Sequence, residues 1–230
     1  MSKKSLITIL TTLILAPALI VLTWKFNIHY YITGTLMVIL CMIPFFISFE
    51  DRKPEARELV VIAVLVALSV ASRAAFIAVP MFKPVIGMIM IAGFAFGSQA
   101  GFLTGAMTAL ISNFIFGQGA WTPWQMFSWG LSGLIAGFLS KKGLVTGNGR
   151  VKEAISGFLI VLLVVGPALD TSSVLTMLAK PTLKSAWPFY VSGFPANISL
   201  AICTVLTLVF LSKPMLEKLN RIKLKYGMME

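Results

Sequence analysis

An all-α integral membrane protein is the fold class this sequence predicts, and three observations predict it. Of 230 residues, 58% are hydrophobic and only 12% are charged, whereas a soluble domain carries about 45–50% apolar and about 25% charged residues. Mean hydropathy is +0.92. The apolar residues fall in runs long enough to cross about 30 Å of hydrocarbon, with most of the charge confined between them. Basic residues outnumber acidic ones 19 to 8, a balance that in a soluble chain would suggest nucleic acid. Here the cations sit between apolar runs rather than along one helix face, so the expected partner is the lipid bilayer and no nucleic acid is expected.

The first run, residues 5–24, follows Lys3 and Lys4 as a signal peptide would. It is long for such a segment and no small-x-small site follows it, so an anchor helix is expected. The second run covers 29–49, and Trp24, His29, Tyr30 and Tyr31 lie where aromatic belts sit. A lone histidine makes no metal site. The charged stretch Glu50-Asp-Arg-Lys-Pro-Glu-Ala-Arg57 is the linker, residues 50–57, to a core at 58–213. That core holds runs at 58–79, 100–116, 125–140, 153–178 and 189–212, with a short one at 84–97; residues 214–230 form a basic tail. The expectation is a six-helix core preceded by two extra transmembrane helices. With Met1 inside, only Lys25, Arg73, Lys83, Lys180 and Lys184 fall outside or in the outer half. The positive-inside bias then places both termini in the cytoplasm of a multi-pass cell-membrane protein.

Cys41 and Cys203 both lie inside expected spans and serve packing rather than a disulfide or a metal. Gly97, Gly101 and Gly105 recur every four residues, and Gly130, Gly133 and Gly137 crowd the following helix. In lipid, helices gain from close backbone approach at such faces, so these two should pack tightly. Ala63, Ala67 and Ala71 share one face of the first core helix. Ordinary packing and a docking surface both fit them. No internal repeat stands out.

The polar residues of the core converge on one depth. At about 1.5 Å per residue, Arg73 stands about 22 Å above the inner start of its helix and Asp170 about 25 Å above its own. Asn113 ends one helix, Gln125 opens the next, and Asn197 lies about two turns below the outer start of the last. Between them runs Asn113-Phe-Ile-Phe-Gly-Gln-Gly-Ala-Trp-Thr-Pro-Trp-Gln-Met-Phe-Ser-Trp129, a hairpin rich in amides and indoles. Such groups are costly in hydrocarbon unless paired or lining a cavity. Gln118, Trp121, Trp124 and Trp129 belong to it, and Trp187, Phe189 and Tyr190 open the last helix at the same level. Gly166-Pro167 breaks a helix just below Asp170, which is tolerated where backbone lines a cavity or is buried in protein. Each residue also has a bland reading: Arg73 and Asp170 as a mutual ion pair, the amides as helix bridges, the indoles as interface anchors.

The chain contains no Gly-x-x-x-x-Gly-Lys-Ser/Thr loop, no His-Glu-x-x-His, no Gly-x-Ser-x-Gly, and one histidine in all. It cannot hydrolyse ATP and shows no catalytic dyad. A binder that depends on a partner for movement is expected, rather than an enzyme.

At residues 57–213 the sequence resembles the substrate-binding S component of energy-coupling factor vitamin transporters, through the six helices, the Ala63, Ala67, Ala71 pattern and the outward site. Lys83-Pro, Gly97-Ser-Gln-Ala-Gly and the Asn113 hairpin resemble the subgroup assigned to cobalamin. The resemblance implies a vitamin ligand, docking of the alanine face on a membrane coupling protein, two cytoplasmic ATPases that use the ATP, and no cofactor bound by this chain. With Lys83 added, the candidate substrate-binding residues are Arg73, Lys83, Asn113, Gln118, Trp121, Trp124, Gln125, Trp129, Asp170, Trp187, Tyr190 and Asn197. Riboflavin or folate is the alternative vitamin. A membrane enzyme acting on a lipid or isoprenoid, or a scaffold, is the alternative class.

Overall fold

Apolar periodicity and glycine spacing together produce a helical bundle. The computed structural model describes residues 25, 29–50, 56–79, 82–145, 150–178 and 180–226. The first expected span, 5–24, and most of the linker lie outside the described residues. The helices are α1 (Tyr30–Glu50), α2 (Ala56–Ala75), α3 (Val85–Phe116), α4 (Thr122–Lys141), α5 (Arg150–Ile160), α6 (Gly166–Met177) and α7 (Leu183–Tyr226). No strand occurs among the described residues.

Among the described residues, four stretches are long and apolar enough to cross a membrane: Ala56–Ala75, Val85–Phe116, Arg150–Met177 and Leu183–Tyr226. The expectation of eight separate spans is therefore met only in coarser form. α4 has 20 residues, but Gln125, Ser128, Gly130, Ser132, Gly133 and Gly137 dilute its apolarity. The expected runs 84–97 and 100–116 are the two arms of α3, joined at Gly97, whose φ of 85° and ψ of 179° leave the helical region. Glycine alone adopts such a φ freely. In a straight helix Gly93 and Gly101 would stand about 12 Å apart. Instead a Cβ on Gly101 would lie 2.8 Å from the Gly93 Cα, so the chain folds back on itself.

The first arm is apolar all round, and each residue from Val85 to Phe96 is buried, as a helix without a polar face requires. α4 runs antiparallel to the second arm at backbone contact. A Cβ on Gly133 would stand 2.9 Å from the Gly101 Cα, one on Gly105 2.5 Å from the Trp129 carbonyl carbon, and one on Gly137 2.6 Å from the Ser98 Cα. The two glycine sets thus face each other.

α5 continues into α6 through a π turn at Val161–Val165, where the Gly166 N–H donates to the Val161 carbonyl. Pro167 has no N–H to continue the α-ladder, and the extra residue absorbs that loss. α7 has 44 residues and carries Pro188, Pro195 and Pro214 inside it; the stretch expected as a tail continues as helix to Tyr226, with Leu216 and Leu219 buried. α1, expected as one of two extra helices ahead of the core, packs on that core: Val38, Met42 and Phe46 meet Phe102, Ala106 and Trp124.

Because no side-chain rotation can relieve a Cβ that meets backbone, Gly133→Ala should lower stability by about 1–3 kcal/mol. Thermal unfolding in detergent measures it; an unchanged Tm would mean that α3 and α4 part without cost.

Candidate functional site

Arg73, two residues before the end of α2, organises one end of the bundle. Its Nη1 donates to Ser112 Oγ at 2.5 Å and to Asn113 Oδ1 at 2.9 Å, and its guanidinium lies 4.2 Å from the Phe116 ring centre and 5.0 Å from that of Trp129. Two acceptors and two ring faces take the place of water around the cation. Asn113 is fully buried and passes the contact on, its Nδ2 donating to Gln125 Oε1 at 2.7 Å and to Thr122 Oγ1 at 3.1 Å. Thr122 in turn donates to Gln118 Oε1 at 2.9 Å, while Gln118 Nε2 donates to the Leu110 carbonyl at 3.0 Å. The hairpin is thereby closed by its own amides.

A second polar pair joins α6 to α7. Asn197 Nδ2 donates to Asp170 Oδ2 at 2.8 Å, and each side chain rests on a glycine of the other helix. A Cβ on Gly166 would lie 2.6 Å from Asn197 Cγ, and one on Gly193 would lie 2.8 Å from Asp170 Cγ. Gly166 and Asp170 are four apart, as are Gly193 and Asn197, so each helix offers a seat and an occupant on one face.

Between these two groups lies a cavity of about 290 Å³ lined by Arg73, Lys83, Val85, Gln125, Trp129, Leu169, Asp170, Ser173, Gly193, Ala196, Asn197 and Leu200. It brings together six of the expected residues: Arg73, Lys83, Gln125, Trp129, Asp170 and Asn197. Arg73 and Asp170 share its wall while bonding to different partners. The Trp129 indole N–H is buried and has no hydrogen-bond partner among the described residues. Lys83 donates to the carbonyls of Phe76 and Val79, the latter at 2.9 Å, and closes the turn after α2.

The other expected residues stand elsewhere. Asn113 and Gln118 support the wall from behind, and Trp121 is 48% exposed beside Gly119. Trp124 is buried against α1 rather than in the cavity. Trp187 is 68% exposed, and Tyr190 pairs its hydroxyl with Thr171 Oγ1 at 2.8 Å. Sequence reasoning missed Ser173 and Gly193, which helical spacing of three and four from Asp170 and Asn197 would have found. A larger cavity of about 570 Å³ opens at the opposite end, beside Gly97, Lys141 and Lys223; none of the expected site residues lines it.

Ala63, Ala67 and Ala71 are all exposed, whereas Ile62, Leu65, Val66, Ser69 and Val70 turn inward. The alanine face therefore points away from the bundle and is not used for packing within it.

The family model described as ECF-type riboflavin transporter, S component, matches residues 53–217, which contain every residue of the 290 Å³ cavity and the alanine face. No curated protein and no solved structure matches the chain.

Two variants separate the wall from its support. Asn113→Leu strips acceptors and donors from Arg73 and Gln125 at once and should cost about 1–3 kcal/mol of stability. Trp124→Ala empties the seat of α1 and should cost about 3–5 kcal/mol. Both are read as a fall in Tm of the purified protein in detergent; a Trp124→Ala protein as stable as wild type would place that indole outside the packing.

Proposed function

The chain belongs to the ECF-type riboflavin transporter S-component family, and from that premise we propose that it captures a vitamin in the cavity between Arg73 and Asp170. It is a multi-pass membrane protein and the substrate-binding subunit of an energy-coupling factor vitamin transporter. The observation that carries the site is the meeting of Arg73, Lys83, Gln125, Trp129, Asp170 and Asn197 around one half-open cavity inside the matched span. Asp170 and Asn197 bond the polar edge of the ligand, Trp129 offers its ring surface, and Arg73 is held by Asn113. The cavity faces outward and both termini face the cytoplasm, a reading supported by the gathering of lysines and arginines at the other end of the bundle.

Ala63, Ala67 and Ala71 form the docking face for a membrane coupling protein, since small exposed side chains permit close helix crossing. Two cytoplasmic ATPases supply the energy. The chain binds no cofactor and makes or breaks no covalent bond itself.

Cobalamin is the reading suggested by the likeness of the Asn113 hairpin, of which Gln125 and Trp129 line the cavity. A corrin ring with its nucleotide loop is far bulkier than a cavity of about 290 Å³, so this reading requires the cavity to widen on binding. Riboflavin is the reading favoured by the description of the matched family and by the cavity volume of about 290 Å³, just below the about 300–1,000 Å³ typical of ligand sites. Calorimetric titration of the purified protein with cyanocobalamin and with riboflavin decides between them. Asp170→Asn should weaken the bound vitamin by about five- to one-hundred-fold; unchanged affinity would remove this cavity as the site. Ala67→Trp should abolish uptake and co-purification with the coupling protein while ligand affinity of the isolated subunit stays at the wild-type value. Normal uptake by that variant would refute docking through this face.

A further inference from the structure

α1 precedes the matched span, which begins at residue 53, yet it touches two walls of the cavity from behind. Gly34 lies over the junction: a Cβ there would stand 3.0 Å from Trp124 Cζ2 on α4 and 2.7 Å from Leu175 Cδ1 on α6. One helical turn on, Val38 and then Met42 are buried against the same cluster, and Phe46 meets Phe102 edge to face at 6.2 Å. At the mouth of the hairpin the Tyr31 hydroxyl donates to the Ala120 carbonyl at 3.4 Å. α1 thus touches α4 through the residue next to Gln125, and α6 five residues beyond Asp170.

The first turn of α4 depends on such outside support. A helix start lacks its own backbone partners, and Trp121 at the cap position makes no side-chain cap bond. Trp124 has a buried indole N–H with no partner among the described residues, so among them its seat is held by shape. Whatever moves Trp124 moves Gln125, and Gln125 is tied to Asn113 and so to Arg73.

We propose that α1 is a positioning element for the vitamin site, a clasp that fixes the spacing of the α4 and α6 walls through Trp124 and Leu175 and thereby sets ligand affinity. The inference rests on the reading of the Arg73–Asp170 cavity as that site.

The test uses the full chain. Gly34→Leu inserts a side chain between α1 and both walls without altering any residue of the cavity, and Leu175→Ala in the same chain removes one of the groups it meets. The wild type, Gly34→Leu, the double variant and Asp170→Asn are each titrated, as folded monodisperse protein, with cyanocobalamin and with riboflavin. Gly34→Leu should raise Kd by about three- to thirty-fold, and adding Leu175→Ala should restore most of the loss; because only folded protein is titrated, a drop in stability alone would leave Kd at the wild-type value. Should Asp170→Asn weaken binding while Gly34→Leu does not, or should the double variant show no recovery, the positioning role is refuted and the site stands. If neither variant changes affinity, or the wild type binds neither vitamin, the site reading fails and the clasp with it. If Gly34→Leu yields no folded protein, Val38→Ala, which opens a gap in the same seat, replaces it: a raised Kd supports the clasp and an unchanged one refutes it.

Discussion

The close approach of α3 and α4 is the constraint on which the rest of the bundle depends. In a bilayer the hydrophobic effect does not drive helices together, and contact has to come from packing and polar bonds. Gly93, Gly101 and Gly133 let three stretches of backbone meet where any side chain would hold them apart. That contact sets the height of α4 against the second arm of α3, and the height decides that Asn113 reaches Gln125 and Thr122. It also folds the first arm into the centre, where α2 and α7 find a surface to pack on: Ile62, Leu65 and Val66 join one cluster with the first arm and with Ala201 and Leu208.

Upon this apolar frame the polar groups are distributed so that each wall is complete before any ligand arrives. Arg73 bonds to Ser112 and Asn113 on α3, and Asp170 to Asn197 on α7. Had the two charges bonded to each other, the cavity between them would be closed. Because each is satisfied on its own side, the space stays open and its lining is already oriented, which lowers the ordering cost of binding. The glycines under Asp170 and Asn197 serve the same end by leaving those side chains one position to occupy.

The sequence carries part of this openly. Four-residue glycine spacing announces the α3–α4 contact, and counting rise along each helix brings Arg73, Gln125, Asp170 and Asn197 to one level, because both depend only on helix geometry. Trp124 was not legible. Its neighbours in the chain are polar and aromatic, and only the arrival of α1 from more than seventy positions away makes its site a dry one. The enclosed position of residues 85–96 was equally hidden, since an apolar run reads the same whether protein or lipid surrounds it. The identity of the vitamin is not legible either, because amides, an indole and a carboxylate serve many ligands.

The first arm of α3 has a bearing on how the protein is made. At about 1.5 Å per residue, residues 85–96 cover about 18 Å, well short of the about 30 Å of a bilayer interior. So short a segment enters the bilayer only as half of a pair with the arm that follows Gly97. Its covering partners come late in synthesis, since Gly87 abuts Thr207 and Met90 lies beside Gly157. The centre of the molecule is thus inserted early and enclosed only once α5 and α7 have been made.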